Sequence, residues 1–143
     1  MLSDFVQANL LLCTLVLVSG GLFIWSLFQQ AGKELEPSEA TLLMNRSAKS
    51  AVLDVRDPHE FAGGHLPDAI NIPLSQLSER MTELESWKEF PLLVYCASGG
   101  RSARACAHLN KHGFEKLHNL AGGVSAWQKA GLPIRKPGKG RHQ

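Results

Sequence analysis

Leu92-Leu93-Val94-Tyr95 is a short apolar run that leads straight into Cys96-Ala97-Ser98-Gly99-Gly100-Arg101-Ser102. The run has the length and character of a buried strand. The glycine pair then makes a turn, and the chain from Ser102 to Lys111 reads as a helix that ends before Gly113. A strand handing over to a helix through a short turn is the repeating step of an α/β sheet. It also leaves a cysteine at a strand end, beside backbone N–H groups and a helix N-terminus, a place suited to an anionic sulfur.

The same step recurs on both sides of this stretch. Lys33 to Leu35 reads as a first edge strand. Pro37 opens a helix through Met44, with Glu36 at the N-cap position. Ala51-Val52-Leu53-Asp54-Val55 is a β-branched central strand. Asp57-Pro58-His59-Glu60 has the grammar of a helix start, and Gly63-Gly64 keeps that helix short. Ala69-Ile70-Asn71-Ile72 is a brief strand closed by Pro73. Ser75 is placed to cap a helix through Leu77, Met81 and Leu84. Leu117 to Leu120 gives one more strand. Gly122-Gly123 turns into a last helix, Val124 to Ala130, with Trp127 inward and Gly131 as its stop. The fold class is therefore α/β: a mostly parallel central sheet of about five strands with helices on both faces. In such sheets the site lies at the carboxyl ends of the strands, where Cys96 is.

The N-terminal part is different. From Phe5 to Phe28 no residue is charged, over 24 positions. As one helix this would span about 36 Å, more than a hydrocarbon core of about 30 Å. The expected organisation is a flank at 1–4, a single-pass transmembrane helix at 5–28, a linker with a possible first strand at 29–36, a folded domain at 37–134, and a basic disordered tail at 135–143. A cleaved signal peptide fits less well, because no Lys or Arg precedes the segment and the apolar run is too long. Lys33, Arg46 and Lys49 follow the segment, so the positive-inside rule puts the C-terminal domain in the cytoplasm. A lipid bilayer and a membrane-protein partner are the expected neighbours. The net charge of +2 gives no reason to expect nucleic acid.

Three cysteines without a CxxC, in a domain of this size, read as thiols rather than disulfides. Cys106 lies among alanines on the helix after the loop and reads as core. The six histidines show no zinc spacing, and neither metal nor cofactor is expected. Cys96 is another matter. The small residues Ala97 to Gly100 let successive N–H groups turn inward, the helix adds its positive end, and Arg101 adds a cation. All three lower a thiol pKa and favour the nucleophilic thiolate. Four residues separate Cys96 from Arg101, one fewer than in the Cys-x5-Arg loops of tyrosine phosphatases. The shorter ring suits one extra sulfur atom better than a tetrahedral phosphate.

Four segments together resemble the rhodanese-like sulfurtransferases. They are Asp54-Val55-Arg56 with Glu60; Gly64-His65-Leu66-Pro67-Asp68-Ala69-Ile70-Asn71-Ile72-Pro73, with Asp68 where glycine is usual; Cys96 to Ser102; and Leu120-Ala121-Gly122-Gly123 followed by Trp127, Gly131 and Pro133. The resemblance implies that Cys96 takes sulfur from thiosulfate or a persulfide donor, holds it as a persulfide, and passes it to a thiol or other nucleophile. Ala97, Ser98, Gly99, Gly100, Arg101 and Ser102 would bind the anion. Asp54 and Arg56 would hold neighbouring turns. The loop carries no extra cation between Cys96 and Arg101, whereas members that prefer thiosulfate often do, so a protein persulfide is the favoured donor. Two other readings stay open: a membrane-bound docking module on the same fold, and a cysteine phosphatase or arsenate reductase.

Overall fold

The computed structural model describes residues 1–29 and 32–137. The chain forms two compact units, Met1–Gln30 and Ala31–Gln143.

In the first unit the uncharged segment is not one helix. It divides into α1 (Leu2–Ala8) and α2 (Leu10–Gln29), with the axes bent by 85° at the break. The break falls at Asn9, whose backbone leaves the helical region at φ −120°, ψ 28°. Its side-chain Nδ2 and its backbone N–H both donate to the Phe5 carbonyl, at 2.9 and 3.1 Å, the kind of local side-chain bond that gives asparagine its preference for helix ends. The expectation of a straight span over 5–28 is thereby corrected. No single helix among the described residues is long and apolar enough to cross a membrane, and Leu2–Ala8 with Leu10–Ser26 passes that test only as a bent pair, by length and composition.

The second unit is built on five parallel strands: β1 (Lys33–Leu35), β2 (Ala51–Asp54), β3 (Ala69–Asn71), β4 (Leu92–Tyr95) and β5 (Leu117–Leu120). Their order is β1-β5-β4-β2-β3, so β4 is central. Leu53 lies opposite Val94 and Asp54 opposite Tyr95 in the β2–β4 register. Successive side chains leave a strand on opposite faces, and the core divides accordingly. Leu53, Leu92 and Val94 join Ala105, Cys106 and Leu109 of α6 (Gly100–Lys111) on one face. Val52, Leu93, Tyr95 and Leu120 join Ala40 of α3 (Pro37–Arg46) and Trp127 of α7 (Gly123–Lys129) on the other. Burying both faces is what makes these strands apolar throughout.

The helix starts follow their local chemistry. Glu36 N–H donates to Glu39 at 3.1 Å, and Asp57 N–H donates to Glu60 at 3.3 Å to open α4 (Pro58–Ala62). Two expectations change. The helix through Leu77, Met81 and Leu84 is instead a 3₁₀ turn (Leu74–Gln76), one turn of helix α5 (Leu77–Arg80), and a further 3₁₀ stretch (Met81–Trp87). Ser75 is thus inside a turn and caps nothing. All three apolar residues still reach the same core: Leu77 and Met81, four apart, share a face across the α-helical turn, and Met81 and Leu84, three apart, stack in the tighter winding. The tail also begins later than expected. Arg135 exchanges backbone hydrogen bonds with His65, both at 2.8 Å, as an antiparallel bridge. The remainder of the tail, 138–143, and linker positions 30–31 lie outside the described residues.

Asp68 has φ +58°, alone among the described non-glycine residues in being left-handed.

Candidate active site

Strand β4 delivers Cys96 to the carboxyl edge of the sheet, between the turn after β2 and the turn after β5. The residue is 1% exposed. The chain then turns through Gly99, whose φ of +113° suits glycine, into α6. The turn aims amides at the sulfur, with Gly99 N–H donating to Sγ at 3.1 Å. The Ser102 hydroxyl is 3.4 Å from Sγ on the other side. Burial alone pushes the Cys96 thiol pKa up. Hydrogen bonds from the Ser102 hydroxyl and from the amides of Ser102, Gly99 and Ser98 outweigh it, and the net direction is down.

The loop is held from behind by α7. Val124 N–H donates to the Cys96 carbonyl at 2.9 Å, and Ser125 N–H donates to the Ala97 carbonyl at 3.2 Å. Gly123, with φ +59°, allows this approach. A Cβ there would collide with the Cys96 carbonyl oxygen and sit 2.6 Å from the Ala97 carbonyl carbon. The Gly122-Gly123 pair therefore belongs to the site although it is distant from Cys96 in sequence.

Arg101 does not point its charge at an open anion site. Its guanidinium is paired with Glu60 of α4, with Nη1 and Nη2 donating to the two carboxylate oxygens at 2.8 and 3.0 Å. The hydrogen bonds with Arg101 pull the Glu60 carboxyl down to about 2 and raise the arginine further. Among the residues expected at the loop, Arg101 is thus a strut between α6 and α4 as well as a nearby cation. Ser98 and Gly100 form the exposed rim, and Ala97 and Gly99 are half-buried.

Asp54 and Arg56 form a buried bracket beside this loop. Arg56 Nε and Nη2 donate to the Asp54 carboxylate at 3.0 and 2.7 Å, and Nη2 also donates to the Gly64 carbonyl at 2.7 Å. The Tyr95 hydroxyl donates to Asp54 at 2.7 Å and accepts from Leu66 N–H at 3.1 Å. Burial and the Asp54 charge push the Tyr95 pKa up, so the phenol stays protonated. This network ties the turns after β2 and α4 to the residue before Cys96. It positions; none of its atoms bonds the sulfur.

Asn119 on β5 was missed from sequence. It is 1% exposed, and its Oδ1 accepts from the Ser102 hydroxyl at 2.6 Å. An asparagine inside a strand flanked by Leu117 and Leu120 was the available signal, since a buried amide needs partners. Glu60 could be read only through the motif that contains it. Cys106 is fully buried, and burial pushes its thiol up to about 12, in keeping with core. Asp57, His59 and Glu60 bring three possible metal-ligand atoms within 4.8 Å of one another. Glu60 is already committed to Arg101, and the other two are exposed.

The rhodanese-like domain model matches residues 36–130. A sulfurtransferase of Allochromatium vinosum is 42% identical over 86 residues, covering 60% of this chain and 78% of that protein. The chloroplastic thiosulfate sulfurtransferase 16 of Arabidopsis thaliana is 37% identical over 98 residues, covering 58% and 78%. Other curated relatives are spanned over as little as 53% of their length. The crystal structure of a rhodanese-related protein from Thermoplasma volcanium superposes with a TM-score of 0.66 at 30% identity, covering 73% of this chain and 99% of that one.

Proposed function

The chain belongs to the rhodanese-like domain family, and from that premise we propose that it is a sulfurtransferase that carries sulfane sulfur on Cys96. The Cys96 thiolate attacks the outer sulfur of the donor. A Cys96 S–S bond forms as the donor's S–S bond breaks, and the leaving group (sulfite from thiosulfate, a thiolate from a persulfide) departs with the electron pair. An acceptor thiolate then attacks the outer sulfur, forming a new persulfide and returning Cys96 as thiolate. Electrons balance without a cofactor, and the two half-reactions imply ping-pong kinetics.

The observation that carries this reading is the Cys96 sulfur held by the Gly99 amide at 3.1 Å inside a loop of small residues. Such a cradle stabilises a negative sulfur and leaves little room for a larger group. Because Glu60 already pairs with Arg101, a dianionic donor finds less uncompensated positive charge, and a persulfide on a protein or small thiol is the preferred donor. The test is mass spectrometry of the full chain after incubation with thiosulfate or with a small-molecule persulfide. A 32 Da adduct on Cys96, formed faster from the persulfide and absent in Cys96→Ser, is expected. No adduct from either donor, with the fold intact, would leave the docking-module reading in its place. Turnover of an aryl phosphate would support the phosphatase reading instead.

We further propose that the first unit holds the protein at a lipid bilayer, with the catalytic domain on the cytoplasmic side. Supporting this, Leu11, Leu15, Leu17 and Phe23 of α2 are 67–87% exposed, and a helix apolar all round has no water-facing side. Two of its polar side chains, Thr14 and Ser19, are satisfied locally by donating to carbonyls three residues back. Co-flotation of the full chain with liposomes, lost on deleting 5–28, is the expected result; flotation unchanged by the deletion would refute it.

A further inference from the structure

The Ser102 hydroxyl has one proton and three neighbours that could accept it. Asn119 Oδ1 lies at 2.6 Å, the Gly99 carbonyl at 3.1 Å and the Cys96 sulfur at 3.4 Å. When Cys96 is a thiol the arrangement is consistent: S–H donates to Ser102 Oγ, and Ser102 donates to Asn119. When Cys96 is a thiolate it is not. The serine proton is then needed at sulfur, which would leave Ser102 Oγ facing Asn119 Oδ1, two lone-pair oxygens at 2.6 Å. A half-turn of the asparagine side chain removes the conflict by presenting Nδ2–H₂ to Ser102 Oγ. The turn exchanges one contact for a looser one. The bond from Nδ2 to the Gly99 carbonyl that it breaks is 3.4 Å long, beyond the usual range for N–H···O, and that carbonyl keeps Ala103 N–H at 3.1 Å. Asn119 Oδ1 takes the place of Nδ2 and faces the Gly99 carbonyl oxygen without a donor, so an O···O contact at 3.4 Å replaces one at 2.6 Å.

We infer that Asn119 is a positioning residue for Cys96, acting through Ser102: its amide accepts the serine proton while the sulfur is a thiol, and turns to donate when the sulfur becomes a thiolate. The thiol proton leaves to solvent base, and after the amide turn the Ser102 hydroxyl, still protonated, donates its hydrogen bond to the thiolate left behind. A side chain that both accepts and donates is required, which explains why an amide occupies a fully buried strand position among leucines. This rests on Cys96 being the nucleophile. The other titratable groups that sense Cys96 are Arg101, paired with Glu60, and Cys106 one turn along α6; both are common to every variant below.

The test is the rate of iodoacetamide labelling at Cys96 against pH, in the full chain, with Asn119→Asp, Ser102→Ala and the double variant. A carboxylate at 119 only accepts, so it should hold the serine proton away from sulfur and raise the Cys96 midpoint by about one unit or more. In the Ser102→Ala background the same change should move the midpoint by less than half as much. Equal shifts in both backgrounds would mean plain charge repulsion and would overturn the inference. Should Asn119→Asp fail to fold, NMR decides. In the wild-type chain the Asn119 side-chain amide resonances should titrate with the Cys96 midpoint, and most of that movement should vanish in Ser102→Ala. Resonances that stay still while Cys96 titrates, or move equally in both proteins, refute it. Neither readout depends on sulfur transfer: a chain with this titration that forms no persulfide would sink the proposed activity and leave Asn119's role standing.

Discussion

Substituting Gly123 by alanine separates two reasons a glycine can be required. At φ +59° any L side chain is strained, by roughly 1–2 kcal/mol. Gly131, at φ +72°, carries the same conformational cost but has nothing within 4 Å of an added Cβ. At Gly123 the added methyl meets backbone instead: the Cys96 carbonyl oxygen, then the Ala97 carbonyl carbon at 2.6 Å and oxygen at 2.7 Å. Peptide carbonyls cannot rotate away as side chains can. The loop must retreat from α7, and the hydrogen bonds from Val124 and Ser125 N–H to those carbonyls go with it, at about 1 kcal/mol each. Gly131→Ala should therefore cost about 1–2 kcal/mol and Gly123→Ala about 3–4 kcal/mol. In thermal unfolding that is a fall of roughly 5 °C against roughly 15 °C for a domain near 100 residues. The kinetic difference should be larger. Displacing the Cys96 loop by even about 1 Å misaligns the amide cradle and should slow sulfur transfer on the order of 100-fold, whereas Gly131→Ala should leave the rate near wild type. If the two variants melt within about 3 °C of each other and transfer sulfur equally, the steric account of Gly123 is wrong.

Three further outcomes follow from the same geometry. Glu60 ionises far below its ordinary value of 4.5, at about 2, so its pairing with Arg101 adds stability that is full above pH 4.5 and lost as pH falls toward 2. The two side chains are 25% and 33% exposed, and with solvent screening the contribution is about 1 kcal/mol. Urea unfolding should show Glu60→Gln less stable than wild type by about that much at pH 6, with the gap narrowing below pH 4.5 and closing toward pH 2; a gap independent of pH would refute the pairing. Asp68→Gly should relieve the left-handed strain at φ +58° and raise the melting temperature by a few degrees, about 1 kcal/mol or less; a fall would mean that the Asp68 side chain contributes more than its backbone costs. At pH 8, peptide mapping should find Cys96 alkylated and Cys106 untouched until denaturant is added, since burial holds the Cys106 thiol near 12; early labelling of Cys106 would contradict its place in the core.

The strand and helix sequence from Lys33 onward was legible because each step combines an apolar run with local stop signals. Pro58 and Glu60 after Asp57, or Gly131 after the last helix, act within one turn of chain and need no tertiary context. What could not be read was set by contacts between segments far apart. Arg101 belongs to Glu60, 41 residues away, and Asn119 to Ser102, 17 residues away; no spacing rule links either pair. The straight span over 5–28 failed for the opposite reason. Hydropathy averages over a window and hides the one short polar residue, Asn9, at which the helix breaks. Arg135 read as tail because its bridge is to His65 backbone, and backbone pairing leaves no trace in residue type.

The charge arrangement at Cys96 separates holding an anion from attracting one. A loop built to capture a dianion from solvent would present its arginine unpaired at the mouth. Here the arginine is neutralised by two hydrogen bonds to Glu60, and the sulfur is met by amides and a hydroxyl. Fixed dipoles at about 3 Å stabilise a charge strongly at contact and fall off steeply with distance. The site therefore favours the thiolate once formed but exerts little long-range pull on a charged donor. On the proposed reading, capture would depend on contact with a carrier surface rather than on electrostatic steering, with the half-buried loop and exposed Ser98 and Gly100 as the point of approach for another thiol.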